Sequence, residues 1–316
     1  MGMRHYDIAV VGSGGMGALF GSILFEKGLD VVLIDINHEH VKAIQTRGLQ
    51  IEGFGGDRTL KIPVVSDPQQ ITSANILLFQ CKAYSTQEAA ISVRDLIKPD
   101  SVCISFQNGL GNEEILGEVL GPGKVLGGVT AMAGRLLGPG RIQDFSRIPS
   151  YIGEIEGGLS ERVAGISEKF TQAGLETRAS ANIKTEIWKK LLGNIALSAL
   201  SGLTNLTSAK AFSVPELKEV SLAAMNEGFE VAEACAIKLN YEAVVKGIEM
   251  ISETGGTGDN RSSLCVDLLN QRPTEVDFIY GSVIRLGEEN GVPTPTMKVL
   301  HALVTGIEKT GFQTTS

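Results

Sequence analysis

The first forty residues carry the pattern that most constrains the fold of this chain. Residues 6–11 form an apolar run rich in β-branched side chains, and they lead directly into the loop Gly12-x-Gly14-x-x-Gly17. Residues 18–27 then have the composition of a helix that ends at Gly28. In such a strand, loop and helix, the first glycine permits a tight turn, the second lets a phosphate approach the backbone, and the third allows close helix packing.

A second apolar run, Val31–Ile34, leads to Asp35, which lies 18 residues after Gly17. A unit that binds a dinucleotide typically has this order: strand, glycine loop, helix, strand and acidic residue. The pyrophosphate of the dinucleotide then lies at the helix N-terminus. The alternative for a glycine triplet alone is an ordinary strand-to-helix turn. The predicted cofactor-binding residues of this region are Gly12, Ser13, Gly14, Gly15, Met16, Gly17 and Asp35.

Asp35 also bears on which dinucleotide binds. A carboxylate at this position accepts hydrogen bonds from ribose hydroxyls, whereas a 2′-phosphate would meet like charge and needs a nearby arginine. The first lysine or arginine after Asp35 is Lys42. The sequence therefore favours NADH over NADPH, the alternative being that Asp35 caps a turn and a more distant cation holds the phosphate.

Length and composition restrict the class of protein. A chain of 316 residues is long for one hydrophobic core and suits two domains. Its net charge of −8 and pI near 5.2 argue against a surface for nucleic acid or an anionic membrane. With no apolar run of membrane-spanning length and no leader pattern, we expect a cytoplasmic protein. Four cysteines without C-x-x-C spacing predict buried, reduced thiols and no metal site: Cys81, Cys103, Cys235 and Cys265.

The rest of the first half alternates between apolar runs and helical stretches. This alternation predicts a doubly wound parallel sheet with helices on both faces, in which ligands bind at the carboxyl ends of the strands. Lys82 and Asn108 follow two of the runs. Lys82 is a candidate for pairing with a phosphate or carboxylate, and Asn108 for a hydrogen bond to the nicotinamide ribose or the substrate. The alternatives are a surface lysine and an Asn-Gly turn.

From residue 183 onward the pattern changes to long helices. We therefore predict an α/β chain with an N-terminal Rossmann-type domain over residues 1–181 and an all-α domain for substrate binding over residues 182–316. One of its helices is expected to start with Ser213 as capping residue before Pro215, and to extend to about residue 239.

Polar residues at helical spacing are the second signal in this half. Lys190, Asn194 and Ser198 follow one another at four-residue intervals in an apolar helix, so they share one face. The alternative is a solvated face. Ser263 begins a later helix and is a candidate seat for a substrate carboxylate, unless it is only an N-cap. Glu275 begins the next helix, where the dipole alone would favour it.

Taken together, these motifs resemble those of the ketopantoate reductase family, over essentially the whole chain. The match comprises the glycine loop, Lys82 in Gln-Cys-Lys-Ala-Tyr, Gln107-Asn108-Gly109, the Lys190 to Asn194 pair, Ser262-Ser263-x-x-x-Asp267 and Arg272-Pro-Thr-Glu275-Val-Asp277. The glycine loop and the Asn-Gly pair are generic, whereas the last three motifs in this order are specific.

The resemblance implies hydride transfer from NAD(P)H to the ketone of ketopantoate (2-dehydropantoate), giving (R)-pantoate for pantothenate and coenzyme A biosynthesis. It implies that Lys190 donates the proton and Glu275 binds the substrate hydroxyl. Asn194 and Ser263 would hold the substrate, while the residues at Lys82 and Asn108 would place cofactor and substrate. The family also implies a homodimer.

Two departures from the family pattern matter. Ser198 stands where the family often has an asparagine, which leaves the exact substrate open. No arginine follows the second strand, as it does in NADPH-using members. The open alternatives are a related 2-oxo- or 3-hydroxy-acid dehydrogenase, which shares the lysine and asparagine pair, and a non-catalytic NAD(H) sensor. An opine-type enzyme would need a catalytic histidine, and the four histidines fall outside the motifs: His5, His38, His40 and His301.

Overall fold

The computed structural model describes residues 4–311, which divide into two compact units. The first comprises the chain up to Gln107 together with Asn112–Glu186. The second comprises Asn108–Gly111 and the chain from Ile187 onward. A short segment of the N-terminal half therefore belongs to the helical unit, which the sequence did not indicate.

The first unit contains the strands of the described chain. They are β1 (His5–Val11), β2 (Val31–Ile34), β3 (Leu49–Gly53), β4 (Arg58–Leu60), β5 (Val64–Val65), β6 (Ser73–Phe79), β7 (Val102–Ser105), β8 (Val125–Val129), β9 (Ala133–Gly138), β10 (Arg141–Ser146), β11 (Ser150–Glu154) and β12 (Thr177–Ala179). Its helices are α1 (Gly15–Glu26), α2 (His38–Arg47), α3 (Thr86–Val93), α4 (Asn112–Leu120) and α5 (Glu161–Gln172).

An eight-stranded sheet in the order β12-β11-β8-β7-β6-β1-β2-β5 forms the centre of this unit. Strand β1 pairs in parallel with β2 and β6, and β7 pairs in parallel with β6 and β8. Strands β2 and β7 are buried along their whole length, and β1 and β6 along their C-terminal halves, because helices cover both faces. These stretches are therefore mostly apolar rather than alternating. The predicted Rossmann-type sheet is thereby confirmed, with one difference: β11 runs antiparallel to β8.

A second sheet of four strands, in the order β4-β3-β10-β9, was not predicted. Its strands are short and mix polar with apolar residues, so they lack the long apolar runs that marked the central strands. In β3, for example, only Leu49 and Ile51 are buried. Strands with one covered face alternate in this way, and over five residues the alternation is a weak signal.

Over residues 187–311 the second unit consists of helices and the loops between them, with no strand. Its helices are α6 (Ile183–Thr204, which starts in the first unit), α7 (Ser208–Ser213), α8 (Pro215–Ala234), α9 (Tyr241–Ile251), α10 (Ser263–Leu269), α11 (Ser282–Asn290) and α12 (Pro295–Thr310). A π-helical turn, Asp277–Gly281, precedes α11. The core forms around the apolar side of α6, with Leu192 and Ile195 fully buried against side chains of α8 and α11.

The prediction of a serine cap at residue 213 was wrong. Ser213 is the last residue of α7, and its hydroxyl donates to the carbonyl of Lys210 within that helix. Val214 precedes Pro215 at the start of α8 and offers no side-chain cap, and the helix ends at Ala234 rather than near residue 239.

The cysteines follow the prediction only in part. All four are free thiols, but Cys81 and Cys235 are partly exposed, while Cys103 and Cys265 are buried. Over residues 4–311, no helix is both long and apolar enough to span a membrane. The same residues contain no cluster of histidine, cysteine and acidic side chains that could hold a metal ion.

Candidate active site

The glycine loop joins β1 to α1, and each of its three glycines has a different surrounding. Gly12 has φ of 88°, and a Cβ atom there would lie 2.6 Å from the backbone nitrogen of Cys81. A Cβ atom at Gly17 would overlap the carbonyl oxygen of Gly12. At Gly14, by contrast, a Cβ atom would meet no described atom within 4 Å. The first and third glycines are therefore required by packing, while the second borders open space.

This open space lies at the N-terminus of α1. The helix begins at Gly15, three residues earlier than predicted, with Gly14 as its N-cap residue and no side-chain cap. The first N–H groups of a helix lack intrahelical partners and carry partial positive charge. Together with the bare backbone of Gly14, they offer hydrogen-bond donors and partial positive charge to an anionic group such as a phosphate.

Asp35 lies directly beside this loop. Its Oδ2 accepts hydrogen bonds from the backbone N–H of Ser13 at 2.7 Å and from the Ser13 hydroxyl at 3.0 Å. Its Oδ1 accepts from the N–H of Asn37 at 2.9 Å. The carboxylate is thus fixed in orientation at the end of β2, where a ribose hydroxyl would find an acceptor. The chain immediately after it contains Ile36, whose side chain is exposed.

Lys82 follows β6 and is half-buried at the start of a short turn, where its carbonyl accepts from the N–H of Ser85 at 2.8 Å. A polar network continues beside it. The Gln107 amide donates to the Thr86 hydroxyl at 2.7 Å and to the Cys81 carbonyl at 3.0 Å. The loops that follow β6 and β7 are therefore hydrogen-bonded to each other.

A buried carboxyl group lies at the start of α4, close to this network. Burial raises the pKa of Glu113 to about 7, and a hydrogen bond involving Ser105 opposes that rise. The group is therefore only partly ionised near neutral pH. Sequence alone gave no sign of it, because a glutamate in the first turn of a helix is usually solvated.

In the second unit, Lys190 lies on α6 after the buried Trp188. The residue keeps part of its surface exposed, yet burial of its ammonium group lowers the pKa to about 8, and the negative charge of Glu275 opposes this shift. A lysine of this kind is still protonated for the most part at neutral pH and gives up its proton more readily than an exposed lysine.

Glu275 is buried just before the π-helical turn and is also close to Asn108. The side-chain amide of Asn108 donates to Glu275 Oε2 at 3.2 Å. The loop that carries Asn108 is fixed to the same turn, because the N–H of Leu110 donates to the carbonyl of Phe278 at 2.9 Å. Gly109, with φ of 85°, permits this contact, since a Cβ atom there would overlap the Phe278 carbonyl oxygen.

The other predicted substrate residues lie on α6 and α10. Asn194 is half-buried one turn after Lys190, and Ser198 is buried one turn further on. Ser263 is exposed in the first turn of α10, but the capping residue is Ser262, whose hydroxyl accepts from the N–H of Cys265 at 3.1 Å. The alternative that Ser263 is merely the N-cap is therefore excluded.

The structure brings Lys190, Glu275 and Asn108 together from three separate parts of the sequence. An ammonium group of lowered pKa, a buried carboxylate and an amide donor form a set that can protonate a developing alkoxide and bind a hydroxyl group. Asp267, the last residue of the motif Ser262-Ser263-x-x-x-Asp267, forms an ion pair with Arg272 at 3.0 Å.

Two residues near these sites were missed by sequence reasoning. His40 is buried as the third residue of α2, where its Nδ1 accepts from the N–H of Gly140 at 3.0 Å. Burial lowers the pKa of His40, and the negative charge of Asp35 opposes this shift. Tyr280 is buried in the π-helical turn, and its hydroxyl bonds to the backbone of α6. His40 stands in a polar stretch that gives no sign of its burial, and Tyr280 stands in an apolar stretch that gives no sign of its hydrogen bonds.

The chain is similar to known proteins along most of its length. Two family models match the chain: "Ketopantoate reductase PanE/ApbA" over residues 8–157 and "Ketopantoate reductase PanE/ApbA C terminal" over residues 182–308. The 2-dehydropantoate 2-reductase of Archaeoglobus fulgidus is 30% identical over 306 residues, which is 97% of this chain and 99% of that protein.

Solved structures of other proteins are similar to this chain over almost its full length. The PanE/ApbA family ketopantoate reductase of Ralstonia eutropha JMP134 superposes with a TM-score of 0.88 at 31% identity, covering 98% of this chain and 99% of that one. A D-mandelate dehydrogenase in complex with NADH and anilino(oxo)acetate superposes with a TM-score of 0.89 at 27% identity, again covering 98% and 99% of the two chains. On the evidence of the two family models, which together span nearly its whole length, the chain belongs to the ketopantoate reductase PanE/ApbA family.

Proposed function

We propose that this protein is an NAD(P)H-dependent oxidoreductase that reduces ketopantoate to (R)-pantoate. The observation that carries the proposal is the grouping of Lys190, Glu275 and Asn108 in a chain of this family. The first unit would bind the dinucleotide through its glycine loop, Asp35 and Lys82. The helical unit would bind the 2-oxo acid.

When bound, NAD(P)H would supply a hydride for the ketone carbon. Negative charge then develops on the ketone oxygen, and the ammonium group of Lys190 stabilises that charge and donates its proton. Burial has brought the pKa of Lys190 to about 8, so the group remains an acid at neutral pH while losing its proton more easily.

Glu275 would recognise the hydroxyl group that distinguishes ketopantoate from simpler branched 2-oxo acids. Its Oε2 accepts from Asn108, and an ionised carboxylate has acceptor capacity for further donors. A buried acceptor that loses its donor is costly, so a substrate lacking the hydroxyl should be bound less well. Asn194, Ser198 and Ser263 are the proposed further contacts for the substrate, Ser263 through the anion-favouring start of α10.

The same proposal favours NADH as the cofactor. Asp35 is held by Ser13 and Asn37 with its carboxylate at the end of β2, where a 2′-phosphate would meet its charge. The family resemblance further leads us to propose a homodimer with the helical unit at the interface, which light scattering of the purified protein would test.

A second candidate is an NADH-dependent dehydrogenase of another 2-hydroxy acid. Ser198 is shorter than the asparagine common in the family and leaves room for a different substrate group, and a D-mandelate dehydrogenase is among the similar structures. That protein was solved with NADH and a 2-oxo acid analogue that carries an aromatic substituent.

A substrate panel separates these possibilities. The purified protein is assayed with NADH and with NADPH against ketopantoate, against 3-methyl-2-oxobutanoate, which lacks only the hydroxyl, and against phenylglyoxylate. We expect kcat/KM for ketopantoate to exceed that for the hydroxyl-free acid by roughly 100-fold or more. A preference for phenylglyoxylate would favour the second candidate. Tight NADH binding without turnover of any of the three acids would favour a non-catalytic NAD(H)-binding protein.

A further inference from the structure

The hydroxyl of Tyr280 has an unusual position in the helical unit. The side chain is fully buried, and its hydroxyl donates to the carbonyl of Ile195 at 2.6 Å and accepts from the N–H of Ala199 at 3.1 Å. In an uninterrupted α-helix these two backbone groups bond directly to each other, because they are four residues apart. The tyrosine oxygen therefore bridges a single step of the α6 hydrogen-bond ladder.

This step lies within the polar face of α6. Ile195 immediately follows Asn194, and Ala199 immediately follows Ser198. A side chain that inserts into the ladder of a helix alters its local bend. The direction in which Asn194 and Ser198 project relative to Lys190 consequently depends on the contact with Tyr280.

The other end of the contact is the turn that follows Glu275. The carbonyl of Glu275 accepts from the N–H groups of both Phe278 and Ile279, which places Glu275 at the root of the π-helical turn containing Tyr280. The same turn receives the loop of Asn108 through the Phe278 carbonyl. Short π-helical segments within helices are frequent at functional sites.

The same stretch of α6 is held from a second side. The Ser262 hydroxyl donates to the carbonyl of Ser198 at 3.1 Å, and the N–H of Ser262 donates to the Ser201 hydroxyl at 3.1 Å. The backbone of α6 is thus bonded both to the turn after Glu275 and to the start of α10. A core that needed only bulk at position 280 could use phenylalanine, since a buried hydroxyl is unfavourable unless it is bonded.

We propose that Tyr280 is a positioning residue, whose hydroxyl fixes the α6 backbone against the turn after Glu275 and thereby sets the geometry between Lys190 and Glu275. The inference rests on the proposed function for its effect on turnover. Its effect on Lys190 can be measured without a substrate.

Tyr280→Phe removes only the oxygen and keeps the aromatic ring in the core. Ser252→Ala is the matched control, because it also removes a buried hydroxyl, but one that donates to the carbonyl of Ile248 at the end of α9, at 2.7 Å. Three quantities are measured for each variant: kcat and KM for NADH-dependent ketopantoate reduction, the thermal unfolding midpoint, and the titration of Lys190 by competitive acetylation followed by peptide mass spectrometry.

In Tyr280→Phe we expect kcat to fall by roughly 10-fold or more, because small displacements of a catalytic group carry costs of this size. The KM for NADH should stay within about twofold. The Lys190 titration should move away from its wild-type position, because the charge of Glu275 and the burial of the ammonium group both depend on this geometry. Ser252→Ala should leave all these quantities near wild type.

A Tyr280→Phe protein with a wild-type kcat and an unmoved Lys190 titration would overturn the proposal. So would an equal loss of kcat in Ser252→Ala, since that would indicate a general effect of removing a buried hydroxyl. If the wild-type protein reduces none of the 2-oxo acids, the proposed function fails, and the Lys190 titration in the two variants still decides whether Tyr280 positions the lysine.

Discussion

The two candidate sites of this molecule are built in opposite ways. The glycine-loop site of the first unit is made of backbone: a turn at Gly12, an open position at Gly14 and the start of α1, with the carboxylate of Asp35 held beside them. The site of the helical unit is made of side chains, in which Lys190, Glu275 and Asn108 come from three distant segments. The first site is therefore most sensitive to added atoms, and the second to the removal of charged or hydrogen-bonding groups.

The largest expected effect comes from the side-chain site. Lys190→Ala should lower kcat/KM for ketopantoate reduction by about 10²- to 10⁴-fold, the usual range for loss of a general acid. Binding of NADH, followed by fluorescence, should be unchanged, since the proposed dinucleotide site belongs to the other unit. Lys189→Ala is the matched control, because Lys189 is exposed, and it should retain near-normal turnover. Near-normal turnover in Lys190→Ala would contradict the assigned role.

The backbone site can be tested with two alanine substitutions that differ only in position. In Gly17→Ala the new methyl group overlaps the carbonyl of Gly12, so we expect a loss of at least about 1–3 kcal/mol of stability. Gly14→Ala meets no neighbour and should unfold at the wild-type temperature, while its affinity for NADH falls by roughly 10-fold because the methyl group occupies space proposed for the pyrophosphate. Equal thermal stability in the two variants would show that the loop is more adaptable than its contacts indicate.

The proposed preference for NADH rests on Asp35, the carboxylate beside the glycine loop. Asp35→Ala should raise the KM for NADH by about 10-fold, because a charge-assisted hydrogen bond is lost. The same substitution should raise the KM for NADPH by less. Glu39→Ala removes an exposed carboxylate on the following helix and serves as the control. A wild-type protein that prefers NADPH would contradict the cofactor proposal directly.

A smaller effect is expected at Glu113, whose buried carboxyl group has a pKa raised to about 7. The folded state then binds more protons than the unfolded state between about pH 4.5 and 7, so stability is highest below this window and declines as pH rises through it. Glu113→Gln should remove that decline and be more stable than wild type at pH 8 by on the order of 1–3 kcal/mol. Chemical denaturation at pH 5 and pH 8 measures it, and an unchanged pH dependence would contradict the assignment.

The backbone site could be predicted from sequence because its parts lie close together in the chain. The strand, the three glycines and Asp35 fall within residues 5–35, and each has a local conformational reason for its residue type. The side-chain site was accessible only through its motifs. The four-residue spacing placed Lys190, Asn194 and Ser198 on one helix face, but no spacing links them to Glu275 or Asn108.

The remaining differences have physical causes that sequence patterns do not carry. The segment Asn108–Gly111 belongs to the helical unit, where the Leu110 N–H donates a hydrogen bond to the Phe278 carbonyl. These two residues are far apart in sequence, so no local pattern predicts this bond. The proposed role of Tyr280 depends on the hydrogen bond of its hydroxyl to the Ile195 carbonyl, and an apolar helical pattern does not indicate this bond. The second sheet was missed because its strands are short and only half covered.

We propose that Lys190, with its pKa lowered by burial, donates the proton in the reduction of a 2-oxo acid. The most direct test is the pH dependence of kcat/KM for NADH-dependent ketopantoate reduction between pH 6 and pH 10. Because the protonated lysine is the acid, kcat/KM should be level at low pH and fall as pH rises through about 8, approaching 10-fold per pH unit. A profile that stays level to pH 10 would contradict the claim.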